Sequence, residues 1–147
     1  MAFYAATDGQ LSWSELHLLS TYDASYRALV QSETGSDVPR SLVLSEMYVP
    51  PTQLEAFLAD AAAILVAHDV PLIYSTVRFI EADTETFLAW AREPSACVIF
   101  NLLVGHTPEG KVRVAETFRS LIDAAIKRGG RYYLTYHRWA RRDQVLA

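Results

Sequence analysis

A chain of 147 residues, half of them apolar, has the size of one domain and can bury a substantial core. Its formal net charge of -4 leaves no basic surplus for neutralising phosphates, which argues against nucleic acid as a partner. The single cysteine, Cys97, excludes an intrachain disulfide and any multi-cysteine metal centre, and it fits a reducing, cytoplasmic compartment.

The opening residues MAFYAATDGQ lack the basic start and apolar run of a secretory signal. The longest apolar stretch, 61–67, falls far short of the roughly 20 residues a membrane helix requires, so a soluble protein with no membrane partner is expected. Residues before Leu42 are the least regular, and 34–40 (TGSDVPR) reads as a linker. The expected organisation is an irregular N-terminal segment over 1–40 followed by a folded domain over 41–147.

β-branched content and the terminal Pro50 and Pro51 predict a first strand over 42–49. From Thr52, the positions Leu54, Phe57, Leu58, Ala61 and Leu65 recur at three and four residues and predict a helix ending near 68–71. Residues 72–80 (LIYSTVRFI) then alternate as a strand. Ile73, Val77 and Phe79 fall on one face and Tyr74, Thr76 and Arg78 on the other. Glu81, Asp83 and Glu85 mark a turn, and 86–92 fits a short helix or another strand equally well.

Residues 97–104 (CVIFNLLV) are almost continuously apolar, as in a central strand covered on both faces. Thr107, Pro108 and Glu109 supply cap, first position and favourable charge for a second helix. Val112, Ala115, Phe118, Ile122, Ala125 and Ile126 would be its buried face, and Gly129 and Gly130 its stop. A last strand is predicted over 132–137 (YYLTYH). The order strand, helix, strand, strand, helix, strand predicts an α+β fold: an antiparallel four-stranded sheet with two helices on one face, in the split ferredoxin-like pattern. The other sheet face is expected to bind something.

Arg78 at a strand centre needs an anionic or strongly accepting partner, either a ligand or a structural pair with Glu46 or Glu81. Asn101 interrupts an apolar strand, and its amide must be satisfied by a ligand or by neighbouring backbone. Cys97 reads as inert packing unless its setting is electropositive and accessible. The last strand is dense in hydrogen-bonding rings, but strand parity keeps Tyr136 and His137 from pointing into one pocket unless a bulge intervenes. His106 and His137 lack a carboxylate partner and fall short of a metal site. Gly129 and Gly130 follow a helix, the wrong order for a phosphate-cradling loop.

The segments 72–81 (LIYSTVRFIE), 86–92 (TFLAWAR), 97–110 (CVIFNLLVGHTPEG) and 128–140 (RGGRYYLTYHRWA) together resemble the C-terminal part of bacterial FAD-linked oxidases of the vanillyl-alcohol-oxidase-like superfamily. The resemblance implies a cap domain, whose sheet covers a flavin held by the FAD-binding domain of the same enzyme and forms the pocket for a small-molecule substrate. Relatives that oxidise polyols and sugar lactones carry a valine or isoleucine followed by a substrate- or flavin-contacting arginine, matching Val77 and Arg78. Some of them have an acid where this chain has Thr76. The strand at Cys97 looks like the cysteine-bearing strand of the decaprenylphosphoryl-ribose oxidases, with Tyr136 in the place of their active-site lysine and Glu46 near their active-site glutamine.

What the resemblance implies is hydride transfer from an alcohol, polyol or sugar-type carbinol to FAD. Arg78, Tyr136 and His137 would be catalytic, and Glu46, Tyr74, Thr76, Cys97 and Asn101 would bind substrate. No oxidation by this chain alone is then expected. The rival readings are a stand-alone ferredoxin-like module that binds a small molecule and forms a homodimer through its open sheet face, and a cofactor-free enzyme of the dimeric α/β-barrel kind acting through His137 or Tyr136.

Overall fold

The computed structural model describes residues 38, 40–87, 91–134 and 137–146. The chain divides after Asp37, and the unit Val38–Ala147 holds all the elements that follow. The expected irregular segment over 1–40 lies outside the described residues, apart from Val38 and Arg40.

The elements run β1 (Arg40–Val49), a 3-10 turn (Pro51–Gln53), α1 (Leu54–Ala67), β2 (Leu72–Ile80), β3 (Ser95–Gly105), α2 (Pro108–Lys127), β4 (Arg131–Tyr132) and α3 (Arg142–Leu146). The fold is α+β, with an antiparallel four-stranded sheet in the order β2-β3-β1-β4. Helix α1 therefore joins two strands that flank β3.

Register divides the side chains between two faces. Met47 lies opposite Val98 and Val49 opposite Ala96, and these four share a core with Phe57, Ala61 and Leu65 of α1 and Val114, Phe118, Leu121 and Ile122 of α2. Both helices thus cover the face carrying the odd positions of β1 and the even positions of β3. None of the residues of β2 joins that core.

The helix ends follow local chemistry. Asp69 takes a φ of 50° after α1, and the amide of Val70 returns to the Leu65 carbonyl at 3.2 Å. At α2 the Thr107 hydroxyl accepts from the Gly110 amide at 2.9 Å, with Pro108 at the first position. The other end stops at Gly129 (φ 71°), whose amide donates to the Ile126 carbonyl at 2.9 Å. Gly130 starts the return to the sheet, where a β-carbon would lie 2.2 Å from the Tyr48 carbonyl oxygen, too close for any side chain. The Arg128 guanidinium ties the two helices together by donating to Asp60 Oδ2 from Nε at 2.9 Å and from Nη2 at 2.6 Å.

Two expectations need correction. The last strand ends at Tyr132 rather than 137: the Tyr133 amide still reaches the Glu46 carbonyl at 3.0 Å, but beyond it the chain turns toward α2. There Trp139 packs edge-on to Phe118, Arg119 Nε donates to the Trp139 carbonyl at 2.7 Å, and Gln144 donates to the Arg119 carbonyl at 2.8 Å. Burying Trp139 and satisfying these groups outweighs continuing an edge ladder. Within α2, Val112 is exposed and Val114 and Leu121 take the core positions. Residues 81–87 are irregular, with the Asp83 carboxylate accepting from the amides of Glu85 and Thr86, and of the segment 86–92, read as helix or strand, residues 88–90 lie outside the described residues.

Candidate functional site

The side chains opposite the helices follow from the same register. On β1, Glu46 and Tyr48 point away from the helices, because Met47 and Val49 between and after them are core residues. On β3 the corresponding positions are Cys97, Ile99, Asn101 and Leu103. On β2, Tyr74 pairs with Asn101, Thr76 with Ile99 and Arg78 with Cys97, which puts all three on this face. Six of the eight residues that the sequence singles out, Glu46, Tyr74, Thr76, Arg78, Cys97 and Asn101, therefore share one sheet face.

This face is unevenly covered. Cys97 and Asn101 at its centre are 1% and 3% exposed, whereas Tyr74 on β2 is 54% exposed and Arg78 lies open beside it. The face expected to bind something is open only at its β2 side.

A hydrogen-bonded cluster centres on Glu46. Its Oε1 accepts from the Tyr48 hydroxyl and from Cys97 Sγ at 3.2 Å. Tyr48 lies directly opposite Cys97 in the register, so β1 and β3 bring two donors to one carboxylate oxygen. Tyr48 was not among the predicted residues, although its i+2 spacing from Glu46 on a strand is the signal that places it there. Burial, the hydrogen bond to Glu46 and its charge all push the Tyr48 phenol well above the ordinary tyrosine range. The same causes, burial first, push the Cys97 thiol up to about 12, with the positive charge of Arg78 acting the other way.

Cys97 is thus a protonated donor at neutral pH and no nucleophile. Native Cys97 is expected to react with iodoacetamide at pH 8 at least tenfold more slowly than in the urea-unfolded chain, and equal rates would contradict the cluster. The sign of the linkage is fixed by the raised value. The thiol's contribution to stability is complete below its ordinary value of 9.0 and is lost as pH rises from there to about 12.

Arg78 makes no ion pair among the described residues, so neither Glu46 nor Glu81 is its structural partner. The Asn101 Nδ2 group is buried without a hydrogen-bond acceptor among the described residues. The Asn101 amide departs from the rule that buried polar groups are satisfied, whereas the Arg78 guanidinium is exposed to water.

His137 does not join them. Its ring stacks on Trp139 with centroids 4.2 Å apart and meets Phe118 edge-on at 6.1 Å, which places it on the helix side of the sheet. Burial there lowers its pKa below the ordinary histidine value. Tyr136 lies outside the described residues. His106 accepts from or donates to the Ser41 hydroxyl at 2.7 Å, and among the described residues no group of three His, Cys, Asp or Glu side chains could hold a metal ion. No helix among them is long and apolar enough to cross a membrane.

A cleft of about 380 Å³ opens at the end of the sheet, lined in part by Tyr48, Arg92, Pro94, Arg131 and Tyr133. None of the seven predicted residues that are described lines it, and Tyr48 links it to the Glu46 cluster. Compared with protein-family models, curated proteins and solved structures, the chain matches none.

Proposed function

We propose that this chain is the substrate-facing cap of a cytoplasmic, flavin-dependent oxidoreductase, whose sheet closes over a ring held by a separate FAD-binding domain. The observation that carries the reading is Arg78, an exposed guanidinium with no ion pair among the described residues, set on the same sheet face as Glu46, Tyr74 and Thr76. A guanidinium donor beside hydroxyl-bearing side chains fits a ligand that presents both hydroxyls and an electron-rich ring edge. Isoalloxazine with a carbinol substrate is such a ligand pair.

Bound FAD would supply the acceptor for a hydride from the carbinol carbon. The chain's own residues divide the remaining work. Arg78 holds the substrate hydroxyl, or the negative charge that develops as the hydride leaves, through charge-assisted hydrogen bonds. Glu46 takes the hydroxyl proton, so the carbinol loses a hydride and a proton and becomes a carbonyl. The hydroxyl of Tyr48 and the thiol of Cys97 hold the Glu46 carboxylate in place by donating to its Oε1. This assignment moves the base from His137 to Glu46, because the imidazole lies on the wrong side of the sheet. Tyr74 and Thr76 extend the contact surface along β2 for an alcohol, polyol or sugar-type substrate.

The test is reconstitution. The chain is mixed anaerobically with a separately expressed FAD-binding domain of an alcohol- or polyol-oxidising flavoenzyme, and flavin absorbance is followed after substrate is added. Bleaching that requires the chain is expected. A tight dimer indifferent to the flavin domain, with no bleaching, would replace this reading with a stand-alone binding module.

A further inference from the structure

Strands β3 and β4 flank β1, so the chain at the start of β3 (91–95) and around β4 (129–134) stands on either side of Tyr48, Val49 and Pro50 at the end of β1. The cleft of about 380 Å³ lies between them, at the small end of the range for small-molecule sites.

Both walls are held by the fold itself. On one side the Ala91 carbonyl accepts from the Asp83 amide at 2.7 Å, and the Ser95 hydroxyl donates to the Glu93 carbonyl at 3.2 Å. On the other, the Gly130 amide donates to the Ala125 carbonyl at 2.8 Å and the Tyr133 amide to the Glu46 carbonyl at 3.0 Å. Pro50 and Pro94 add two backbones of fixed φ. A cavity formed in advance costs a ligand little ordering.

The lining joins apolar surface to positive charge. Val49, Pro50, Pro94 and the ring of Tyr133 supply the first. Arg92 and Arg131 supply the second from opposite sides of β1, with Arg131 paired to Tyr48 in the register. Neither guanidinium makes an ion pair among the described residues, and Glu93, the one acid in the lining, pairs with neither. Counting Glu93 against the two arginines leaves a single positive charge.

We propose that this cleft binds a small planar monocarboxylate, its apolar body between Pro50, Pro94 and the Tyr133 ring and its carboxylate held by Arg92 and Arg131. The planar fork of arginine matches the two oxygens of a carboxylate. One carboxylate neutralises the charge that is left over, whereas a phosphate monoester, with close to two charges, exceeds it. Arg78, Tyr74 and Thr76 do not line the cleft, so the inference stands apart from the flavin reading.

Isothermal titration calorimetry of the full chain at pH 7 tests it, with 2-naphthoate as the probe and 2-naphthamide as its neutral counterpart. Naphthoate is expected to bind with a Kd on the order of 100 μM, and the amide at least about tenfold more weakly. Arg92→Gln and Arg131→Gln, both at exposed positions, should each weaken naphthoate binding about tenfold while the far-UV circular dichroism spectrum stays unchanged. Arg78→Ala should leave that binding as it is. The absence of saturable binding in the millimolar range overturns the proposal, as does an amide that binds equally well. Binding that Arg78→Ala weakens and the two glutamine variants do not would overturn it too. Flavin bleaching in the reconstituted system does not depend on this cleft, so failure here leaves that reading to its own test.

Discussion

Replacing Phe118 by alanine is expected to lower the stability of the unit Val38–Ala147 by about 3–5 kcal/mol, the range for a fully buried aromatic ring. The ring is 0% exposed and belongs to the core between α2 and the sheet. It also anchors the C-terminal segment, with Trp139 edge-on at 5.7 Å and His137 at 6.1 Å. Truncation therefore opens a cavity and removes the surface on which the stacked His137–Trp139 pair rests. Urea denaturation followed by tryptophan fluorescence measures the loss, and Phe118→Leu should recover most of it because it retains volume at the same site. A loss below about 1 kcal/mol for the alanine variant, typical of surface substitutions, would show that the segment is not docked there.

Arg78→Ala is expected to behave in the opposite way. Its side chain is exposed and makes no ion pair among the described residues, so stability should change by no more than about 0.5 kcal/mol. In the reconstituted system, kcat/KM should fall by about 10²–10³-fold, the usual loss when one preorganised donor to a developing charge is removed. Arg78→Lys keeps the charge but loses the planar fork and should fall between the two. Steady-state kinetics beside thermal melting separates these effects. Unchanged kcat/KM in the alanine variant would remove Arg78 from the chemistry.

Strand parity is what made the face legible. The alternation in 72–80 placed Tyr74, Thr76 and Arg78 together before any coordinates, and the apolar run from Cys97 marked β3 as the central strand. The caps at Thr107 and Gly129 set the limits of α2 because they act within a few residues of the chain. What sequence left hidden depends on distant partners. The alternation of 132–137 has strand character, yet Trp139 finds Phe118 and Gln144 finds Arg119, and the chain leaves the sheet after Tyr133. His137 moves with it to the helix side. The Glu46–Tyr48–Cys97 cluster was equally hidden, since the pairing of Tyr48 with Cys97 depends on register between strands 49 positions apart in sequence.

Nitrogen-15 NMR of the chain titrated with riboflavin tests the role of the Arg78 face most directly. The Arg78 Nε–H and Asn101 Nδ2 signals should shift together with the backbone amides of Tyr74 and Thr76, while those of Val114, Phe118 and Ile122 in α2 stay in place. Shifts confined to α2, or to Arg92 and Arg131 around the cleft at the sheet end, would contradict a ring-covering role for this face.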